Sequence, residues 1–348
     1  MKRLIYLLLA IAGIAVASCN SSPSDTEKQK EEETPIVPEP QPEPDRKIVT
    51  GYLPLDDWEF DKQYPSVAWE HLTHINASFI RAKADGTLNT QPAEKNLEKV
   101  RDDAHRNGVK ILISVAKNSP GEFKAAISDS EARKKLAQQI VAFTRDNKLD
   151  GFDIDYEEYD DWDNYFPSLL AFAKELHSLK EEGMLMTCAV NSRWLNYGTE
   201  WERYFDYINL MSYDRGAFTD KPVQHASYDD FVKDLEYWHT EGKADKSKIV
   251  GGLPFYGYSW DEELKDKVDA VRGIRYHSIL EHFGDRAADT DAINQTYYNG
   301  RPTIRKKCQY VKENGYGGVM IWQLFQDGHE SQKSLRLIEA VGDEMGKQ

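Results

Sequence analysis

The stretch that decides the fold reads Asp150-Gly151-Phe152-Asp153-Ile154-Asp155-Tyr156-Glu157. Successive side chains of an extended strand point to opposite faces, so Asp153, Asp155 and Glu157 are predicted to share one face. The residues between them are Phe, Ile and Tyr, which predict a buried second face, whereas a solvated acidic edge strand would carry polar residues there. Neighbouring carboxyl groups repel each other and push their pKa values apart, so one can stay protonated beside an ionised partner. The stretch therefore predicts an acid–base site on a buried strand.

Seven further apolar runs of strand length accompany this stretch. Together the eight runs cover 48–53, 74–80, 109–115, 149–157, 184–190, 207–214, 249–258 and 317–325. Amphipathic stretches with apolar residues three and four apart, such as 94–107 and 130–147, lie between most of them and predict helices. Gly108, Gly183 and Gly315 stand where a helix would end and the chain would turn into a strand.

Eight strands that alternate with helices predict a (β/α)8 TIM barrel over residues 48–348. A doubly wound sheet is the alternative, but no Gly-rich phosphate loop follows the first run. The chemistry of a barrel lies at the C-terminal ends of its strands, which is where the acidic stretch falls. The other predicted strand ends also carry polar or aromatic side chains: Tyr52, Phe79, Asn191, Tyr213, Asp214, Tyr256 and Trp322.

The N-terminal segment differs from the rest of the chain. An apolar run over 4–17 is short for a membrane span, which takes about 20 residues, and two small residues precede Cys19. The pattern is similar to a bacterial lipoprotein signal, so residues 1–18 are predicted to be removed and Cys19 to carry lipid. An ordinary secretory signal before an incidental cysteine is the alternative.

Residues 19–47 are rich in Ser, Glu, Lys and Pro and contain almost no apolar residues. Such a segment cannot bury enough surface to order itself, and its Pro-Glu repeat predicts an extended, semi-rigid stalk. We therefore expect a lipid anchor in a bacterial membrane, with the outer membrane favoured. The sequence does not decide whether the protein faces the periplasm or the cell surface.

Charge and cysteine content exclude several classes of function. The formal net charge of −15 argues against nucleic acid as a partner. Only Cys188 and Cys308 follow Cys19, so no disulfide framework is expected. His71 and His74 are three residues apart but have no partner with metal-ligand spacing. We expect neither a metal nor another cofactor in the reaction, and a monomeric protein.

Asp-Gly-Phe-Asp-Ile-Asp-Tyr-Glu resembles the signature of glycoside hydrolase family 18, which contains chitinases and some endo-β-N-acetylglucosaminidases. Three later motifs resemble the family's sixth, seventh and eighth strands: Met211-Ser212-Tyr213-Asp214, Gly252-Leu253-Pro254-Phe255-Tyr256-Gly257 and Gly318-Val319-Met320-Ile321-Trp322. The resemblance covers about residues 48–340. It implies hydrolysis of β-1,4 bonds after N-acetylglucosamine, assisted by the substrate itself.

The resemblance also implies roles for individual residues. Glu157 would be the general acid, and Asp155 would bind the acetamido N–H and stabilise the oxazolinium intermediate. Asp153 would share a proton with Asp155, Tyr213 would donate to the acetamido oxygen, and Asp214 would bind near the sugar. Trp322 would form the floor under the distorted sugar, and the supporting wall would be formed by Tyr52, Phe79, Met211 and Tyr256.

The chain departs from the family pattern at three places. Lys117 ends the third strand where many members carry a second glycine, and Tyr258 stands where an arginine often follows the seventh strand. The segment 260–315 is too short for both the last helix and the insertion domain of many processive chitinases. We therefore expect a barrel without a sizeable insertion domain and a shallow cleft that suits short chitooligosaccharides or N-glycan cores.

The sequence leaves three functions open. The sixth-strand motif is more similar to chitinases, so chitin oligosaccharides are the favoured substrate. An endo-β-N-acetylglucosaminidase acting on N-glycan cores is the second reading, and a non-catalytic carbohydrate-binding protein of the same fold is the third. Binding-only relatives typically lose the glutamate at the position of Glu157, which this chain keeps.

Overall fold

A computed structural model of the chain describes residues 46–217, 219 and 221–346. The predicted signal peptide, Cys19 and the stalk up to residue 45 lie outside the described residues. Within the described ranges, no helix combines the length and the apolar character needed to cross a membrane.

Eight parallel strands close into a barrel, because each pairs with the next and the last pairs with the first. The strands are β1 (Ile48–Pro54), β2 (His74–Ala82), β3 (Lys110–Lys117), β4 (Gly151–Asp155), β5 (Leu185–Asn191), β6 (Tyr207–Met211), β7 (Ile249–Pro254) and β8 (Gly318–Trp322). This architecture confirms the predicted (β/α)8 barrel.

Helices connect the strands. They are α1 (Phe60–Gln63), α2 (Leu97–Arg106), α3 (Glu122–Ser128), α4 (Ser130–Asp146), α5 (Trp162–Leu179), α6 (Tyr228–Thr240), α7 (Tyr276–Phe283), α8 (Arg301–Glu313) and α9 (Leu337–Met345). Asp129 caps α4 by accepting the backbone N–H groups of Glu131 and Ala132 at 3.1 and 2.8 Å. Helix α2 begins at Leu97, three residues later than predicted, because residues 94–96 form a turn that follows the 3-10 turn Gln91–Ala93.

Glycine is required at two kinds of position. Gly108 and Gly315 follow helices α2 and α8 with φ of 66° and 75°, a left-handed conformation that lets the chain turn toward the next strand. Gly151 begins β4, where a Cβ atom would collide with the backbone carbonyl of Leu185 on β5. The glycine of the acidic stretch therefore permits the close approach of two barrel strands.

The predicted seventh strand is divided in the structure. Strand β7 ends at Pro254, and Tyr256–Ser259 enters a separate antiparallel sheet with Gly273–Arg275, Thr296–Tyr297 and Ala292–Ile293. The apolar run continues across this break, so hydrophobicity alone could not locate it. The small sheet is the only extra sheet among the described residues, and the expectation of no sizeable insertion domain is confirmed.

The core has two layers. Phe152, Ile154 and Tyr156 belong to the large cluster between strands and helices, as the alternation predicts. A smaller cluster contains Tyr52 and Met320, which alternate with residues of the large cluster and therefore point into the barrel. Cys188 and Cys308 are free and buried.

Candidate active site

A cavity of about 420 Å³ opens at the C-terminal ends of the barrel strands. Nine of the predicted site residues line it: Tyr52, Phe79, Asp155, Glu157, Asn191, Met211, Tyr213, Asp214 and Trp322. Two others do not. Asp153 lies fully buried beneath the cavity, and Tyr256 lines a neighbouring cavity of about 770 Å³ that also shares Asp214 and Trp322.

Asp153 is held in place by side chains from four different strands. Its Oδ2 accepts hydrogen bonds from the hydroxyl groups of Tyr52 and Ser114, both at 2.7 Å. Its Oδ1 accepts the hydroxyl of Thr187 at 2.6 Å and the amide of Asn209 at 3.3 Å. Burial raises the pKa of Asp153 above its usual value, and these hydrogen bonds oppose the rise. The shared proton with Asp155 stays a prediction.

Asp155 ends β4 and is 6% exposed. Its Oδ1 is buried and has no hydrogen-bond partner. Burial, followed by the charges of Glu157 and Asp153, raises the pKa of Asp155 well above its usual value, while Lys117 lowers it. A buried carboxyl oxygen without a donor is costly, so this atom is available for a ligand N–H at the cavity floor.

Glu157 lies beyond the end of β4, and 45% of its side chain is exposed. Partial burial raises its pKa, Lys117 lowers it, and Asp214 raises it further. The Nζ of Lys117 donates to the backbone carbonyl of Glu157 at 3.2 Å and lies 4.0 Å from its Oε2. The raised pKa favours the protonated form that a general acid requires.

Asp214 is fixed by a second set of donors. The hydroxyl groups of Tyr256 and Tyr258 both donate to its Oδ1, the latter at 2.9 Å, and Nδ1 of the buried His225 lies 3.5 Å away. Burial pushes the pKa of Asp214 upward, but His225, Tyr256 and Tyr258 outweigh this effect and lower it. Tyr213, beside Asp214, is 6% exposed, and its hydroxyl lies 3.8 Å from Sδ of Met320.

Three aromatic rings form one wall of the cavity. The ring of Trp322 lies 5.3 Å from that of Tyr52 and 6.0 Å from that of Phe79 between centroids. The peptide bonds Ser78–Phe79 and Trp322–Gln323 are both cis. Flat aromatic surfaces beside carboxyl groups suit a pyranose ring, which has apolar C–H faces and polar edges.

The structure adds cavity residues that were not predicted as site residues: Arg81, Ala116, Lys117, Tyr159, Ala189, Ser192 and Trp194. Trp194 is notable because 58% of it is exposed, which is unusual for a large apolar side chain. Its position follows β5, so the strand-end rule could have indicated it. The same rule applies to Ser192, which directly follows β5, and to Tyr159, which comes four residues after β4.

Among the described residues, two groups of His and Glu side chains have the spacing to hold a metal ion. They are His277, Glu281 and His329, and Glu70, His71 and Glu339. Neither group lines the 420 Å³ cavity. That cavity contains the protonatable carboxyl of Glu157, the buried Oδ1 of Asp155 without a donor, the phenol of Tyr213 and an aromatic wall. These groups suit acid–base chemistry on a sugar.

Comparison with known proteins agrees with this chemistry. The model of the family described as glycosyl hydrolases family 18 matches residues 49–327. The crystal structure of a chitinase from Bacteroides thetaiotaomicron is 70% identical, with a TM-score of 0.86, over 86% of this chain and 96% of that one. A chitinase from Cycas revoluta in complex with (GlcNAc)3 is 21% identical and shares the fold, with a TM-score of 0.73 over 86% and 100% of the chains.

The curated relatives are longer than this chain. Probable chitinase 10 of Drosophila melanogaster is 26% identical over 278 residues, which are 64% of this chain and 12% of that protein. An endochitinase of Brugia malayi is 26% identical over 320 residues, 72% of this chain and 62% of the relative. The match thus spans less than two thirds of either protein.

Proposed function

Because the chain belongs to glycoside hydrolase family 18, we propose that it hydrolyses the β-1,4 bond that follows an N-acetylglucosamine unit in chitin oligosaccharides. The observation that carries the proposal is the pair at the end of β4. Asp155 presents a buried oxygen without a donor, and Glu157 presents a carboxyl with a raised pKa in the same cavity.

The first step needs one acid and no protein nucleophile. Glu157 gives its proton to the glycosidic oxygen, and the bond from that oxygen to the anomeric carbon breaks. The carbonyl oxygen of the substrate's own acetamido group bonds to the anomeric carbon and forms an oxazolinium ion. Asp155 accepts the acetamido N–H, and its negative charge stabilises the positive charge of the ring.

The second step reverses these roles. The carboxylate of Glu157 takes a proton from water, the water oxygen bonds to the anomeric carbon, and the oxazolinium ring opens to restore the acetamido group. The sugar leaves with retained configuration. Tyr213 donates to the acetamido oxygen, Asp214 binds near the sugar, and Trp322 supports the face of the ring.

Chitin oligosaccharides are the preferred substrates for two reasons. The 70% identical protein from Bacteroides thetaiotaomicron is described as a chitinase, and the Cycas revoluta enzyme has been crystallised with (GlcNAc)3. Among the described residues, the barrel also carries only one small extra sheet and no sizeable insertion domain that would deepen the cleft, which suits an oligosaccharide better than a crystalline surface.

We also propose a lipid anchor at Cys19 that holds the enzyme on a bacterial membrane, the outer membrane in preference. The small residues before Cys19 and the Pro-Glu stalk support this location. Cys19→Ser should yield protein without attached acyl chains by mass spectrometry. Lipid on that variant would contradict the proposal.

The test compares the purified protein with Glu157→Gln, which keeps the shape of the side chain but cannot transfer a proton. Each is given chitooligosaccharides and a high-mannose N-glycopeptide, and the products are identified by mass spectrometry. We expect cleavage of chitooligosaccharides and a loss of turnover of about 10²-fold or more in Glu157→Gln. Glu181→Gln changes an exposed residue that follows α5 and pairs with Arg145; it is the control and should leave turnover unchanged.

The other outcomes separate the alternative functions. Glu157-dependent cleavage of the N-glycopeptide alone, between its two core N-acetylglucosamine units, would make the protein an endo-β-N-acetylglucosaminidase. Binding by both variants without cleavage of either substrate would indicate a carbohydrate-binding protein. Full turnover by Glu157→Gln would refute the assigned acid.

A further inference from the structure

Helix α7 and the segment after β8 bring together an unassigned group of metal-binding side chains. One ligand atom from each of His277, Glu281 and His329 lies within 4.8 Å of the others. His277 and Glu281 are four residues apart on α7 and so lie on the same face of the helix. We propose that these three residues bind a divalent transition-metal ion such as Zn²⁺, at a site separate from the catalytic cavity.

The first support is the state of His277. Its side chain is 6% exposed, and its Nε2 is buried without a hydrogen-bond partner. The nearest acidic oxygen, Oε2 of Glu59, lies 3.7 Å away, beyond hydrogen-bond distance. A buried ring nitrogen with a free lone pair is what a metal ion requires of histidine.

The second support is the set of groups behind the two rings. The hydroxyl of Ser278 lies 3.2 Å from Nδ1 of His277, and Oε1 of Gln63 lies 3.2 Å from Nδ1 of His329. Both oxygens can accept a hydrogen bond from an N–H at Nδ1, which leaves the lone pair of each Nε2 for a metal. Metal-binding histidines commonly donate their second N–H to such an oxygen, which fixes the orientation of the ring.

The third support is the position of Nε2 of His329, 3.1 Å from Oε1 of Glu281. A cation between a ring nitrogen and a carboxylate oxygen satisfies both. Two imidazoles and one carboxylate form a common ligand set for zinc, with a fourth position left for water. His277 and Glu281 line the 770 Å³ cavity, so an ion has a path from solvent and a side open to water.

Binding requires a modest movement of the side chains. Ligands of one zinc ion lie closer together than 4.8 Å, since each zinc–nitrogen distance is about 2.0–2.1 Å. The rings of His277 and His329 are stacked, with centroids 4.5 Å apart, so one must rotate. Glu281 is 42% exposed and His329 19% exposed, which leaves both side chains room to close on the ion. The nearby Lys267, 3.7 Å from Glu281, must move away from the carboxylate.

The test is calorimetric titration of the metal-free full chain with ZnCl₂, followed by Co²⁺, whose visible absorption reports the ligand geometry. We expect one ion per chain at this site. Replacing a direct ligand in His277→Gln or Glu281→Gln should weaken binding by more than about 100-fold, since even a group behind a ligand changes affinity 10–100-fold. His282→Gln is the matched control, because His282 lies on the same helix but pairs with Glu263.

Two results would overturn the proposal: no zinc binding by the full chain, or equal binding by the wild type and both ligand variants. Glu281→Gln keeps the test valid if His277→Gln does not fold, because its side chain is partly exposed. Zinc should bind Glu157→Gln as it binds the wild type. The metal site is therefore tested independently of the proposed glycosidase activity.

Discussion

Asp153 and Asp155 are two residues apart on β4 and both are buried, but their hydrogen bonding differs. Asp153 accepts from four side chains, whereas Oδ1 of Asp155 has no donor. We therefore predict that Asp155→Asn makes the fold more stable and the enzyme slower. Asp153→Asn should give no gain in stability, because its new NH₂ group would face existing donors.

The sign of the effect depends on pH. Burial, and then the charges of Glu157 and Asp153, raise the pKa of Asp155 in the folded chain. Above the ordinary pKa of an aspartate, the unfolded chain loses this proton more readily than the folded chain does. The free energy of unfolding therefore falls as pH rises through that window. Below the ordinary pKa both states are protonated and the penalty is absent, so Asp155→Asn should help most at neutral and alkaline pH.

The magnitude follows from the missing donor. A buried polar group without a partner costs about 1–3 kcal/mol. Replacing the carboxylate by an amide removes the part of this cost that comes from the charge, so we expect the free energy of unfolding to increase by about 1–2 kcal/mol at pH 8. In a domain of about 300 residues, whose entropy of unfolding is about 0.6 kcal/mol/K, that is a rise in Tm of roughly 2–3 °C. The loss of one electrostatic partner of the transition state should lower kcat by about 10²–10³-fold.

Thermal unfolding at pH 4 and pH 8, together with kcat on a chitooligosaccharide, measures both effects. Asp153→Asn serves as the comparison at each pH. An Asp155→Asn variant that is less stable than the wild type at pH 8 would show that the carboxylate has a partner in solution. A kcat within tenfold of the wild type would show that Asp155 does not stabilise the oxazolinium ion.

Two further predictions concern lysines. Lys117→Met removes the cation 4.0 Å from the carboxyl of Glu157, so the pKa of Glu157 should rise. The alkaline limb of the pH profile of kcat/KM should therefore move to higher pH. A limb that stays in place or moves to lower pH would contradict this prediction. Lys307 is fully buried, and burial lowers its pKa to about 7. Between pH 7 and 10 the lysine is therefore protonated in the unfolded chain but neutral in the folded chain. The free energy of unfolding should rise over that range by up to about 4 kcal/mol, and urea titrations of Lys307→Met should show the rise abolished.

The barrel could be predicted from the sequence because the pattern that indicates each strand lies within a short segment of the chain. Each strand is a short apolar run, and the period of two places Asp153 on the interior face and Phe152 in the core. The donors to Asp153 could not be predicted in the same way. Ser114 and Thr187 are single hydroxyl residues in apolar strands, and their role depends on register, since both are direct strand neighbours of Asp153.

Departures from the family pattern were visible in the sequence, but their consequences were not. Tyr258 replaces an expected arginine, and the structure shows its hydroxyl donating to Asp214 at 2.9 Å. A hydrogen-bond donor is therefore kept although its charge is not. Lys117 stands where many members carry a glycine, and its Nζ donates to the backbone carbonyl of Glu157. Such contacts depend on which strand ends meet in space, which local pattern does not determine.

The acidic stretch separates two tasks over five residues. Asp153 is tied to β1, β3, β5 and β6 by hydrogen bonds, so its carboxylate is held rigidly as part of the barrel interior. Asp155 has an oxygen without a donor, and Glu157 is partly exposed, so both can respond to a ligand. The energetic cost of a buried carboxyl oxygen without a donor therefore falls on Asp155, the residue that would contact the acetamido group. Substrate binding would remove this cost. Binding energy from that contact would then favour a ring position in which the acetamido oxygen can reach the anomeric carbon.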